Sequence, residues 1–163
     1  MITAEIKAIQ RLNKNKHFKL LEEKLLPVVI SEGSFIHRIK EGDEAELFYY
    51  LMPYYGPINM DQYVAGKGNK LEIAEILGLG LKLFDALKVI HKSGYIYNDL
   101  KLDNIMLRGD IQSLAKSKIT LVDFGFAKKY YFTIKTDNGP KHGHQMQREL
   151  PFFQGNLLNA SMD

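Results

Sequence analysis

Asp99, Lys101 and Asn104 fall within the six residues D-L-K-L-D-N, and Asp123 follows nineteen residues after Asn104, directly ahead of Phe124-Gly125. Two carboxylates, an ammonium and an amide in this order could do phosphoryl chemistry. That reaction asks a protein for a carboxylate to orient and deprotonate a hydroxyl, a cation on the moving phosphate, and oxygen ligands for a metal. Magnesium takes hard oxygen ligands and keeps several waters, so one aspartate and one asparagine oxygen are enough protein ligands for it. Asp99 and Asn104 lie five apart, so one tight loop can aim both into the same space. Taken alone, each feature has a plainer reading: a polar turn after a helix is commonplace, and D-F-G occurs by chance. The ordered combination of helix, D-x-K-x-x-N, two short strands and D-F-G favours a catalytic loop.

Several elements must position these residues. Ile6, Ile9 and Leu12 recur at threes among charged residues, which predicts a short amphipathic helix over Thr3–Leu12. Ala45–Met52 (AELFYYLM) predicts a buried strand, broken by the prolines of Pro53–Pro57. The clearest helix is Lys70–Lys92, with Ile73, Ile76, Leu77, Leu83, Phe84, Leu87 and Ile90 at spacings of three and four and Gly94 placed for a left-handed cap. Gly78 and Gly80 within it suggest close packing against another element. Short strands are expected at Tyr95–Tyr97, Asn104–Leu107 and Ile119–Val122. From Tyr130 the segment TIKTDNGPKHGHQ predicts a long surface loop.

The bulk numbers narrow the field. The chain has 163 residues, 45% hydrophobic and 25% charged, an ordinary globular composition sized for one domain. With no cysteine, disulfides, thiolate catalysis and thiolate metal sites are excluded. A net charge of +3, with the basic residues scattered, gives no nucleic-acid motif. No apolar run reaches the roughly 18–20 residues of a membrane span, and the charged N-terminus carries no signal-peptide core. The expectation is an intracellular monomer of cytoplasm or nucleus, with no nucleic-acid or membrane partner.

Three stretches carry a resemblance to a known family. Tyr54–Val64 (YYGPINMDQYV), Asp123–Tyr130 (DFGFAKKY) and Arg148–Asp163 (RELPFFQGNLLNASMD) resemble the eukaryotic protein kinases, and specifically the casein kinase I family of serine/threonine kinases. The likeness covers nearly the whole chain, with insertions around Phe18–Leu26 and Gly109–Lys118. It implies an α+β, protein-kinase-like fold truncated at both ends. Residues 1–52 would be a remnant of the small lobe, 53–57 the hinge, and 58–163 the start of the large lobe through the activation segment.

The resemblance also implies roles, with ATP and Mg2+ as cofactors. Asp99 would be the catalytic base, and Lys101 would contact the transferred phosphate. Asn104 and Asp123 would hold magnesium. Met52 would be the gatekeeper, the Pro53 carbonyl and the Tyr55 backbone would face adenine, Met106 and Val122 would line the nucleotide, and Asp61 would lie near the ribose. For Met52, Met106 and Val122, plain core packing explains the residue types equally well. Glu5 would be the helix carboxylate that pairs with a strand lysine. The implied partner is a protein substrate, acidic or pre-phosphorylated.

The sequence departs from the family pattern in places. Tyr97-Asn98 stands where His-Arg is usual, so pairing with a phosphorylated activation loop is not expected. Asn156 replaces a threonine, whereas Ser161-Met162-Asp163 resembles the family's serine-isoleucine-asparagine variant of the usual A-P-E. No GxGxxG occurs, and the chain begins within the helix bearing Glu5, so the glycine-rich loop and strand lysine are expected upstream of it. A fragment or degenerate copy is therefore expected, with poor phosphate transfer by the chain alone. The alternative is a catalytically impaired, pseudokinase-like binding module.

Overall fold

The computed structural model describes residues 2–14, 25–40, 43–137 and 139–144. The Arg148–Asp163 stretch, with Asn156, and most of the expected Phe18–Leu26 insertion lie outside these residues. The chain opens with helix α1 (Ile2–Asn13), followed by strands β1 (Ser31–Lys40), β2 (Asp43–Leu51) and β3 (Ile58–Asn59). Helices α2 (Met60–Gly66) and α3 (Ile73–Lys92) come next. Then follow β4 (Tyr95–Ile96), a 3-10 turn at Leu102–Asn104, β5 (Ile105–Arg108), β6 (Lys118–Leu121), β7 (Lys128–Lys129), and the hairpin strands β8 (Tyr131–Thr136) and β9 (Gly139–His144).

The strands form four small sheets. β1 and β2 pair antiparallel, with Ser31 opposite Leu51. β3, β5 and β6 form a three-stranded sheet with β5 central. β4 pairs with β7, and β8 with β9. The core runs between α1, α3 and the β5–β6 ladder. Ile9, Leu12, Ile90, Ile105, Leu107, Ile119, Leu121 and Phe124 are almost wholly excluded from water there. At roughly 1.5–3 kcal/mol for each such side chain, this core fixes how the chemistry-bearing loops are held.

Helix α1 forms where the Ile6, Ile9 and Leu12 spacing puts it, and all three are buried. Helix α3 begins at Ile73 instead of Lys70, because Glu72 and Glu75 form a capping box at its start. Its buried side is Leu79, Ala86, Val89 and Ile90, with Leu83 and Leu87 packed partly against the core. Ile73, Ile76, Leu77 and Phe84, members of the same periodic set, are exposed at 53–76%. The helix is apolar around most of its circumference, and only one side meets the core. Gly78 and Gly80 face open space, so they are not the close-packing points expected of them.

Several elements go beyond the sequence expectation, among them the two-residue strands β3 and β7. Strand β1 is weakly signalled, since SEGSFIHRIK mixes Ser, Gly and charge with its apolar residues. Helix α2 is announced by Asn59, whose side chain accepts from the Gln62 N–H at 2.9 Å while Gln62 accepts from the Asn59 N–H at 3.0 Å. The segment from Tyr130, expected as a long loop, is the β8–β9 hairpin. Tyr131, Phe132, Thr133 and Ile134 suit a pleated strand, and Tyr131 stacks on His142 across the pair. Pro140 is tolerated because both strands are edges.

Two glycines are required by geometry. Gly94 ends α3 at φ +82, as the cap pattern predicts. Gly56 sits at φ +138, and a Cβ there would lie 1.8 Å from the Leu107 carbonyl oxygen, inside any possible contact. Gly56 thus lets the chain leaving β2 pass against β5. Gly56→Ala is expected to cost about 3 kcal/mol from backbone strain and overpacking together, and to lower the melting temperature by about 10 °C. A thermal melt checks this, and a variant melting within about 2 °C of wild type would contradict it.

Candidate active site

The loop after β4 is built on buried groups. Asp99 is only 2% exposed, and Asn104 is also buried. The Asn104 side-chain amide donates to the Asp99 backbone carbonyl at 3.0 Å and to Asp99 Oδ2 at 2.8 Å. The 3-10 turn makes this possible by folding Asn104 back over the loop. With its nitrogen turned to Asp99, the asparagine's oxygen is the end left to meet a cation. Lys101 Nζ lies 3.0 Å from Asp99 Oδ2. The hydrogen bond to Asp99 raises the Lys101 pKa above its ordinary value; burial opposes this, and the charges of Asp99, Asp123 and Asp103 reinforce it. The ammonium therefore stays charged throughout the neutral range.

Asp123 comes to the same place because the β5–β6 ladder sets Ile105 opposite Leu121, and the Val122 N–H then donates to the Asn104 carbonyl at 3.0 Å. Asp123 has φ +58, a left-handed conformation that costs a residue with a Cβ about 1–2 kcal/mol. Its neighbours hold it there. On one side the Tyr97 hydroxyl donates to the Val122 carbonyl. On the other the Phe124 N–H donates to Glu5 Oε1 at 2.9 Å. Tyr97 is fully buried, and its ring meets Phe124 edge-on at 5.0 Å. Burial raises the Tyr97 pKa, with Asp123 and Asp99 adding to it, so the phenol remains a donor. Asn98, at φ +65, donates from its amide to the Phe126 carbonyl at 3.2 Å and ties down the segment after Gly125.

Beside this loop opens a cleft of about 600 Å3 lined by Glu5, Tyr50, Met52, Pro53, Tyr54, Tyr55, Met106, Val122 and Asp123. That volume lies in the range of small-molecule and cofactor sites, and the lining is largely apolar, as such sites are. Of the residues expected to meet a nucleotide, Met52, Pro53, Tyr55, Met106, Val122 and Glu5 line one cavity together with Asp123. Asp61 does not; it is exposed in the first turn of α2. The Tyr55 hydroxyl accepts from the Val28 N–H at 2.7 Å, which ties the side chain into the fold.

Glu5 was expected to pair with a lysine. Among the described residues its partners are the Tyr50 hydroxyl, at 2.8 Å, and the Phe124 N–H. Tyr50 and Tyr54 were missed. Tyr50 lies in an aromatic strand pattern that says only "strand", and no local signal marks its hydroxyl.

The donor chemistry fits magnesium. No group of three or more His, Cys, Asp or Glu among the described residues could hold a metal ion. One carboxylate and one amide oxygen beside a nucleotide-sized cleft is instead the sparse oxygen set that magnesium accepts when phosphates complete its shell. Among the described residues no helix is long and apolar enough to cross a membrane.

The family model described as "Protein kinase domain" matches residues 2–140. The chain is similar to the probable serine/threonine-protein kinase fnkE of Dictyostelium discoideum, 32% identical over 103 residues, which is 59% of this chain and 8% of that protein. It is similar to the serine/threonine-protein kinase PknG of Mycolicibacterium smegmatis, 32% identical over 108 residues, covering 66% of this chain and 13% of PknG. It is also 27% identical over 119 residues to nucleosomal histone kinase 1 of Drosophila melanogaster, covering 73% of this chain and 18% of that protein. The chain thus spans under a fifth of each of these relatives.

Proposed function

The chain belongs to the protein kinase domain family, and from that membership we propose that it is part of a serine/threonine protein kinase of the casein kinase I type. In this reading it binds ATP with magnesium in the cleft and transfers the terminal phosphoryl group to a hydroxyl of an acidic or pre-phosphorylated protein. The observation that carries the reading is the Asp99–Lys101–Asn104 network, tied through the Val122 N–H bond to the Asn104 carbonyl to the strand end whose Asp123 lines the apolar cleft. The casein kinase I type rests on the sequence resemblance of the Tyr54–Val64, Asp123–Tyr130 and Arg148–Asp163 stretches. Residues 1–52, 53–57 and 58–163 then act as small-lobe part, hinge and large-lobe part.

Each group has a task. Met52, Met106 and Val122 hold the base by apolar contact, and the Pro53 carbonyl and Tyr55 backbone meet its polar edge. Asp61, outside the cleft lining, would serve only a ribose that projects beyond it toward α2. Asn104 and Asp123 would hold magnesium, which would offset the charge of the phosphates. Asp99 orients the incoming hydroxyl and takes its proton. Lys101, kept charged by Asp99, faces the phosphate. Little covalent chemistry is asked of the protein, so holding these groups in place supplies most of the rate.

Switching by a phosphorylated loop does not fit this site. A neutral amide such as Asn98 offers no charge-assisted pair to a phosphate, and it is already engaged with the Phe126 carbonyl. The test is transfer from ATP to casein by the intact protein, with and without Mg2+, before and after phosphatase treatment. Magnesium-dependent transfer that phosphatase changes by less than about twofold is expected. Magnesium-dependent ATP binding without any transfer would identify a binding module instead, and abolition by phosphatase would overturn the constitutive site.

A further inference from the structure

Glu5 joins three parts of the molecule through one oxygen atom. It sits in the first turn of α1 and is 9% exposed. Its Oε1 accepts from the Tyr50 hydroxyl of β2 at 2.8 Å and from the Phe124 N–H at 2.9 Å. That N–H belongs to the Asp123–Phe124 peptide, so holding it fixes the orientation of the peptide that Asp123 leads into. Asp123 needs such help, because its positive φ persists only where the surroundings over-determine it. The Tyr97 bond to Val122 clamps the preceding peptide. The Glu5 bond is the matching clamp behind, and Tyr50 sets the rotamer of Glu5.

Tyr50 is placed for this work. It lines the cleft alongside Asp123, although it comes from β2, in a different sheet from the β5–β6 ladder that leads to Asp123. Burial raises its pKa, and the hydrogen bond and charge of Glu5 and the charge of Asp123 add to this, so the phenol stays a proton donor at any ordinary pH. A tyrosine serving only to fill space would need no partner for its oxygen at this half-buried position, where water could reach it.

We propose that Tyr50 is a positioning residue of the nucleotide site: its hydroxyl orients Glu5, and Glu5 holds the Asp123–Phe124 peptide so that Asp123 faces the metal. The inference rests on the metal–nucleotide reading of the cleft and deepens it by assigning a residue on β2 to the metal's placement. Its signature is a loss confined to the metal-dependent part of binding. Phenylalanine keeps the ring and its packing, so Tyr50→Phe removes the hydroxyl alone.

The experiment measures ATP affinity with and without Mg2+, and adenosine affinity, for wild type, Tyr50→Phe, Glu5→Ala and the double variant. Tyr50→Phe is expected to reduce the magnesium enhancement of ATP affinity about tenfold, the size of one hydrogen bond to a charged group. Adenosine affinity should stay within about twofold, because the adenine side of the cleft does not use this bond. In the Glu5→Ala background, Tyr50→Phe should add less than about twofold, since the two act in series. An unchanged magnesium enhancement in Tyr50→Phe would overturn the proposal while leaving the site intact. So would a parallel loss of adenosine affinity, which means only that the cleft has loosened, or fully multiplicative losses in the double variant. Absence of magnesium-dependent ATP binding in wild type would instead overturn the nucleotide reading itself, and this inference with it.

Discussion

Asp123→Asn is expected to remove magnesium-dependent ATP binding, weakening it at least about 100-fold, while adenosine binds within about twofold of wild type. The size follows from charge. An asparagine offers an oxygen of similar reach but no net charge, and a unit charge 4 Å from its partner is worth about 4 kcal/mol at the effective dielectric of a protein surface. Losing about 3 kcal/mol of that corresponds to roughly two decades in affinity. The fold should survive, because Asp123 contributes little packing. Its Oδ1 accepts from the Gly125 N–H at 3.2 Å, a bond an amide oxygen can keep. Relief of like charge near Asp99 and Glu5 should offset any loss, so the melting temperature should hold or rise slightly. Isothermal titration with Mg-ATP and with adenosine separates the two parts of the site. Equal Mg-ATP affinity in wild type and Asp123→Asn would remove Asp123 from the metal.

How much of this site could be read in advance depends on how local each signal was. Asp99, Lys101, Asn104 and Asp123 were legible because one loop and one strand end carry them, and the β5–β6 ladder that joins them is itself a short-range hairpin. Helix α1 was legible from three apolar residues at helical spacing. The Tyr50–Glu5–Phe124 relay was not, since its members are 45 and 119 residues apart and no periodicity links them. The β8–β9 hairpin was hidden by its own turn residues: glycine and proline read as loop signals, although in a two-stranded ribbon they only mark where the chain reverses. In α3 the spacing named the helix but not which face is buried, because apolar residues at Ile73, Ile76, Leu77 and Phe84 obey the same period as those at Leu79, Ala86, Val89 and Ile90. Periodicity cannot choose between two apolar faces of one helix.

The largest effect on the reaction is expected at Asp99. Asp99→Asn should lower phosphate transfer by the intact protein about 10³-fold, within the range a general base supplies, with Mg-ATP affinity changed less than about threefold. The structure sets this contrast. Asp99 is not among the residues lining the cleft, so nucleotide contacts survive its change. Its Oδ2 receives both the Asn104 amide at 2.8 Å and Lys101 Nζ at 3.0 Å. The asparagine oxygen can keep one or both of these bonds, which protects the loop, but it cannot take a proton from a hydroxyl. Lys101 loses its charged partner, so its pKa should fall back toward the ordinary value, still well above neutrality, and its charge persists at pH 7. The defect should therefore lie in transfer, with binding and folding near wild type, the reverse of the pattern at Asp123. A single-turnover transfer assay beside a nucleotide titration reads the two directly. If Asp99→Asn transfers within about tenfold of wild type, positioning alone accounts for the rate and Asp99 is not the base. If it loses nucleotide affinity as steeply as transfer, Asp99 acts mainly by holding Asn104 and Lys101 in place.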